Sequence, residues 1–301
     1  MRIYTKLVLT AIFWGGTFIA GRHVSQHLGP FTIAFLRFAM AAMLLLLLTW
    51  RQEGQLPRVP TSQIAPIVLL GLTGVFAYNA MFFSGLRRIE AGRAALIIAT
   101  CPAFIALASA LAFKERLRLI RAAGIPLSVF GAVVVISRGD LRHIVADGLG
   151  AGELFIMGCV VSWVAYSLLG KSVMRHLSPL ASVSYSTVAG AVPLAGFAGA
   201  EGLGNLAGAS PLDWMAIVYL AVFGTVIGFV WFYEGVKAIG PTRAGLFINI
   251  VPISAVILAF LILREPVTWS LGVGAILVLS GVYLTNKASE PTGNGDRRAP
   301  R

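Results

Sequence analysis

Apolar residues run along this chain in long blocks separated by short polar breaks. A helix rising ~1.5 Å per residue needs about 20 mostly apolar residues to cross ~30 Å of hydrocarbon. Ten blocks meet that length, at 6–24, 31–49, 64–84, 94–113, 119–137, 152–170, 180–200, 213–233, 244–263 and 268–286. The pattern predicts an all-α integral membrane protein of ten transmembrane helices. The connections leave no room for a soluble domain, and the Gly-, Pro- and charge-rich residues 287–301 read as a disordered tail.

The first block, Leu7 to Ala20 behind Arg2 and Lys6, could pass for a signal peptide. An internal repeat argues against cleavage. Trp14, Gly21, Arg22, Val24, His27, Leu28 and Pro30 recur 149 positions later as Trp163, Gly170, Lys171, Val173, His176, Leu177 and Pro179. Further on the offset is 150, pairing Gly85 with Gly235, Arg93 with Arg243, Pro102 with Pro252, Lys114 with Arg264, Glu115 with Glu265, Gly124 with Gly274 and Gly131 with Gly281. The chain therefore reads as two five-helix units, 1–150 and 151–286. Five is odd, so the second unit enters the membrane from the opposite side. The expectation is a pair of inverted repeats, a transporter architecture.

Composition agrees with a membrane location, since 57% of residues are hydrophobic and 12% charged, with a mean hydropathy of +0.85, against about 25% charged in soluble domains. The net charge of +12 raises a nucleic-acid reading, but the charges are scattered among loops. With both termini cytoplasmic, 16 of the 24 lysines and arginines fall inside, as the positive-inside bias requires. Arg87, Arg88 and Arg93 are exceptions clustered on the predicted outer side. No nucleic-acid partner is expected; lipid and a small-molecule substrate are, and nothing in the pattern demands an oligomer. Cys101 and Cys159 lie within apolar blocks, so no structural disulfide is expected. His23, His27, His143 and His176 sit in loops or at helix ends, where an interfacial role is expected and a metal site is not. No cofactor is implied.

The doubled pattern carries a family resemblance. A helix-opening "FWGG", then Pro30 and Arg37, then a mid-helix proline with Glu thirteen residues later and glycines nine and sixteen beyond that, resembles the EamA-type branch of the drug/metabolite transporter superfamily, and within it YddG-like aromatic amino-acid exporters. The resemblance implies a ten-helix bundle of the bacterial inner membrane, with helices 1, 3, 4, 6, 8 and 9 around a central cavity. It also implies export of small metabolites, amino acids among them. Ser186 stands where the first unit has Arg37, so any role of that arginine is asymmetric.

Side chains spaced three, four and seven apart share a helix face. That selects Trp14 and Thr17 on helix 1, Tyr78, Asn79 and Phe82 on helix 3, Trp163 and Tyr166 on helix 6, and Trp231 with Phe229 and Phe232 on helix 8. Thr100 and Asn249 lie beside the prolines of helices 4 and 9. Each has an alternative: core packing for the aromatics, interhelical hydrogen bonding for the amides. Trp50, Trp214 and Trp269 read as interface anchors. Pro102 and Pro252 interrupt the hydrogen-bond ladder and serve either as hinges or as static kinks. Arg37 either pairs with Glu265 or snorkels to the headgroups. Glu115 and Glu265 are expected to close helix ends beside Lys114 and Arg264. No acidic residue falls at mid-membrane, which fits a facilitator or weakly coupled exchanger.

No convergent nucleophile and base mark an enzyme. The expected function is export of amino acids, aromatic or otherwise neutral, by alternating access. A lipid or lipid-linked precursor flippase and a multidrug or cation exporter stand as alternatives.

Overall fold

The computed structural model describes residues 2–113, 119–140, 149–173 and 177–287, and every regular element among them is a helix. In chain order these are α1 (Ile3–Val24), α2 (Pro30–Glu53), α3 (Thr61–Leu86) and α4 (Ala91–Ile98, continuing as Cys101–Phe113). Then come α5 (Leu119–Ile136), α6 (Ala151–Val173), α7 (Pro179–Glu201) and α8 (Pro211–Ile239). Last are α9 (Pro241–Leu246, Phe247–Asn249 and Ile250–Leu263) and α10 (Trp269–Lys287). Among the described residues, nine helices are long and apolar enough to cross a membrane, and a shorter apolar one, Ala122–Ile136, lies within α5. Of the positions singled out above, Lys114, Glu115, His143, His176 and the tail beyond 287 lie outside the described residues.

Several helices overrun their apolar blocks, as α8 does by continuing to Ile239. A hydropathy window closes at the first polar residues, whereas the backbone ladder does not need apolar side chains to continue. Pro30, Pro179 and Pro211 open α2, α7 and α8, where a missing N–H costs nothing. Gly54 and Gly240, at φ 75 and 84, end α2 and α8 in the left-handed region that glycine tolerates.

Carboxylates close helix starts across the sequence halves. Glu201, at the end of α7, accepts from the Thr32 backbone N–H and hydroxyl at the start of α2, both at 2.8 Å. Glu265, just past α9, accepts from the N–H groups of Ala91 and Gly92 at 2.8 and 3.0 Å. An anion at a helix start meets both the unbonded N–H groups and the positive end of the dipole. Glu265 thus closes the first turn of α4, and its expected pairing with Arg37 is not made. Arg93, one of the outer-side exceptions to the charge bias, is also spoken for: it pairs with Glu153 at 3.0 Å and donates to the Ile136 carbonyl at 2.9 Å.

The helices pack in cross-half pairs: α5 with α10, α2 with α7, α1 with α8 and α9, and α6 with α3 and α4. The α5–α10 contact is made backbone to backbone. A methyl group on Gly124 would meet the Gly281 carbonyl at 2.5 Å, and one on Gly131 would meet the Val278 nitrogen at 2.6 Å and the Gly274 carbonyl at 2.9 Å. Small residues are what allow such approach in lipid, where association relies on van der Waals contact rather than exclusion of water. Gly281→Ala is therefore expected to cost about 1–3 kcal/mol, the usual penalty of overpacking. Gly199→Ala, with open space around it, should change stability by no more than about 1 kcal/mol, in the stabilising direction. Thermal unfolding of the purified variants checks this, and equal melting temperatures would contradict it.

Candidate functional site

A cavity of about 740 Å³ occupies the middle of the bundle, within the usual range for small-molecule sites. Its lining runs from mid-helix residues such as Thr17 and Thr225 to Ser109 and Asn286, near the ends of α4 and α10. Those ends lie on the side of the bundle at which α1 begins. Besides α1, α3, α4, α6, α8 and α9, the lining draws on α2, α7 and α10, three more helices than the resemblance implied.

Twelve of the residues placed on inner helix faces or at the helix breaks fall on this lining: Trp14, Thr17, Tyr78, Asn79, Phe82, Trp163, Tyr166, Phe229, Phe232 and Asn249, together with both prolines, Pro102 and Pro252. The rings form two groups. Tyr78 stacks on Phe82 with centroids 5.8 Å apart and tilts against Trp163 at 5.5 Å, which in turn stacks on Tyr166 at 5.1 Å. Trp14 packs against Phe229 and Phe232 at 5.7 and 5.4 Å.

Two expected residues lie elsewhere. Thr100 is buried, and its hydroxyl donates at 2.7 Å to the Ile97 carbonyl of its own helix, which also accepts from the Thr100 backbone N–H at 3.2 Å. Trp231 sits one stripe away from Phe232 and packs on Phe13, with the Lys6 ammonium over its ring.

The floor of the site is built by two irregular helix segments. Residues Gly71–Ala77 of α3 and Val222–Ile227 of α8 each widen into a π-helical turn, a feature that loosens the backbone ladder and clusters at functional sites. Gly74 and Gly224 occupy matching places in them, 150 residues apart. Side chains take up the displaced carbonyls. The Asn79 amide donates to the carbonyls of Val75 at 2.9 Å and Gly74 at 3.3 Å. The Thr225 hydroxyl donates to Leu220 at 3.0 Å, and the Trp14 indole N–H to Gly224 at 3.1 Å.

Arg37 of α2 spans both turns. Its Nε donates to the Thr225 hydroxyl and its Nη1 to the Asn79 amide oxygen, each at 3.1 Å. The guanidinium also lies over the Phe38 ring at 4.9 Å. At 8% exposure it does not snorkel, and among the described residues it makes no ion pair. It is the one formally charged residue on the described lining. An arginine offers five N–H donors, and the protein uses two of them. Ser186, at the matching place in the second half, lines the same cavity and donates to its own helix at the Val183 carbonyl, 3.1 Å away.

Both proline helices are interrupted one turn ahead of the ring. In α4 the helix breaks between Ile98 and Cys101; in α9 it tightens at Phe247–Asn249. The proline ring displaces the carbonyl four residues earlier, which here belongs to Ile98 and Ile248.

Two of the histidines meet at a helix end. His23 in the last turn of α1 and His27 in the turn that follows it converge with Asp213 in the first turn of α8. Their i, i+4 spacing was the signal for it.

Comparisons with known proteins agree with this architecture. The chain is 29% identical to the uncharacterized transporter YyaM of Bacillus subtilis over 94% of its own length and 92% of the relative's. It is equally 29% identical to an uncharacterized transporter of Archaeoglobus fulgidus, covering 94% and 98%. A WAT1-related chloroplastic protein of Arabidopsis thaliana is 26% identical over 94% of this chain and 69% of that one. A solved crystal structure superimposes with a TM-score of 0.63 at 21% identity, covering 93% of this chain and 96% of that one, which shows a shared fold. The model of the EamA-like transporter family matches residues 1–137 and 150–287. With nearly the whole length matched, the chain is an integral membrane transporter protein and belongs to the EamA-like transporter family.

Proposed function

We propose that this protein exports neutral amino acids, aromatic ones foremost, across the bacterial inner membrane, with the substrate carboxylate on Arg37 and its ammonium and side chain against the aromatic rings. The observation that carries this reading is the charge of the cavity. Arginine at mid-membrane costs about 2.5–3.5 kcal/mol, and an interhelical hydrogen bond returns only about 0.6 kcal/mol on average. The bonds to Asn79 and Thr225 leave most of that cost standing. A ligand carboxylate offsets it, and charge-assisted N–H···O bonds to a planar guanidinium are among the strongest available. The ammonium of a zwitterion gains cation–π attraction from Tyr78, Trp163 and Tyr166. An organic cation would meet Arg37 as a like charge and find no acidic residue on the described lining to answer it.

The two halves act as inverted repeats, 1–150 and 151–286, related by a pseudo-two-fold axis in the membrane plane. Supporting this, the family model matches each half, and Gly124 meets Gly281 while their repeat partners Gly274 and Gly131 meet each other. Both termini are cytoplasmic, by the bias of lysine and arginine. Rocking of the halves opens the cavity to each side in turn, and Pro102 and Pro252 are the bend points because the ladder is already open there.

In proteoliposomes, radiolabelled phenylalanine should exchange across the membrane, and unlabelled neutral amino acids should compete, whereas phenethylamine, which lacks the carboxylate, should compete at least ~10-fold less well, from the worth of a charged hydrogen bond. Flux of organic cations or fluorescent lipid with amino acids ignored would contradict the assignment.

In the same assay Pro102→Ala and Pro252→Ala should lower turnover about 10-fold, roughly 1.4 kcal/mol of barrier, with half-saturation nearly unchanged. Normal turnover in folded proline variants would remove the hinge role.

A further inference from the structure

The contact between the end of α1 and the start of α8 carries a separate chemistry. Asp213 is buried, with 3% of its side chain exposed, and its two oxygens face different partners. Oδ2 accepts from the Ser210 backbone N–H at 2.9 Å and from the Ser210 hydroxyl at 2.7 Å, closing the first turn of α8. Oδ1 points to the two histidines. His27 Nδ1 lies 2.8 Å from it and His23 Nε2 3.3 Å. The second approach has no hydrogen-bond geometry, so His23 Nε2 is a buried ring nitrogen without a hydrogen-bond partner. The ring centroids are 5.0 Å apart.

We propose that His23 Nε2, His27 Nδ1 and Asp213 Oδ1 form a binding site for a borderline divalent transition-metal ion of the zinc type, pinning α1 to α8. The three ligand atoms all lie within 4.8 Å of one another. A tetrahedral ion at ~2.0–2.1 Å from nitrogen and oxygen ligands needs them about 3.3 Å apart. Small rotations of the two rings supply this, and His27, half exposed, is free to make them. Two imidazoles and one carboxylate leave the fourth position to water, and the exposure of His27 gives an ion a route from solution. Imidazole nitrogens select zinc, copper, nickel or cobalt over the oxygen-seeking magnesium and calcium.

A plain His27–Asp213 hydrogen bond explains one of the two contacts but leaves His23 Nε2 unsatisfied beside a carboxylate. A metal ion satisfies both rings at once. The second shell is already in place, because ligating carboxylates are held by hydrogen bonds of their own and Ser210 holds Oδ2. Arg22, the cation next in sequence, is turned away, donating to the Leu86 carbonyl. The site joins the end of α1, from the first half of the chain, to the start of α8, from the second. Occupancy therefore stabilises that contact by mass action.

The test uses the purified full-length chain, free of any purification histidines, in lipid nanodiscs. Zinc is titrated against a chromogenic chelator and thermal unfolding is followed with zinc or magnesium added. One zinc per chain is expected, with a melting temperature raised by zinc and not by magnesium, and His23→Gln or His27→Gln should each weaken binding at least ~10-fold. Asp213→Asn also replaces the carboxylate half of the capping box with a neutral amide and so adds a folding effect, which is why the two histidine variants carry the decision. Binding that is absent, or that is unchanged together with the zinc-dependent melting shift in His23→Gln and His27→Gln, overturns the proposal.

Discussion

A buried guanidinium in a lipid-facing bundle must find donors' partners inside the protein, and Arg37 finds them on two helices whose backbones are themselves irregular. Asn79 and Thr225 each bond both to backbone carbonyls at a π-helical turn, two for Asn79 and one for Thr225, and to Arg37. The turns, the amide, the hydroxyl and the charge form one connected network. The Asn79 amide and the Thr225 hydroxyl give carbonyls of α3 and α8 a side-chain donor, at a depth where an unsatisfied carbonyl costs several kcal/mol. Without Arg37 the two helices would lose their common partner on α2. Irregular backbone at membrane depth is tolerated where it lines a polar cavity, and that is where both turns lie.

The remainder of the bundle keeps this network in place with inexpensive contacts. Glycines bring α5 and α10 to backbone distance, and carboxylates from one half of the sequence close helix starts in the other. These contacts lie at helix ends and on the outer pair of helices. The cavity itself is bounded by stacked rings and by helices already broken ahead of Pro102 and Pro252. Seams of this kind hold the two halves together at the helix ends and along α5 and α10, and leave the interrupted helices as the places where bending would strain fewest hydrogen bonds.

Most of the fold was legible in the sequence because its determinants are local or periodic. Block length sets a membrane helix, and the 150-residue offset carries the matching glycines and prolines of the two halves. Aromatics on the inner faces, such as Tyr78 and Trp163, were found by spacing alone. What spacing could not reach was the partner of a charged side chain. Glu265 and Arg37 stand on the same predicted side, yet Glu265 is drawn to two backbone N–H groups and Arg37 to two side chains on other helices. The π-helical turns were equally hidden, since a local change of hydrogen-bond register leaves no mark on hydropathy. Thr100 and Trp231 were assigned by proximity to a proline and to other aromatics, and each misses the cavity by one helical stripe or one backbone bond. The His23–His27 spacing was visible, but Asp213, 186 residues further on, was not connected to it.

The central claim is that Arg37 is held uncompensated so that a substrate carboxylate can complete it. A four-way affinity comparison tests this most directly, using phenylalanine and phenylalaninamide on the native protein and on Arg37→Gln. If the guanidinium and the carboxylate meet, removing both costs little more than removing either, leaving a coupling energy of about 0.5–3 kcal/mol. Strictly additive losses from the two changes would show that they act at separate places and would contradict the account.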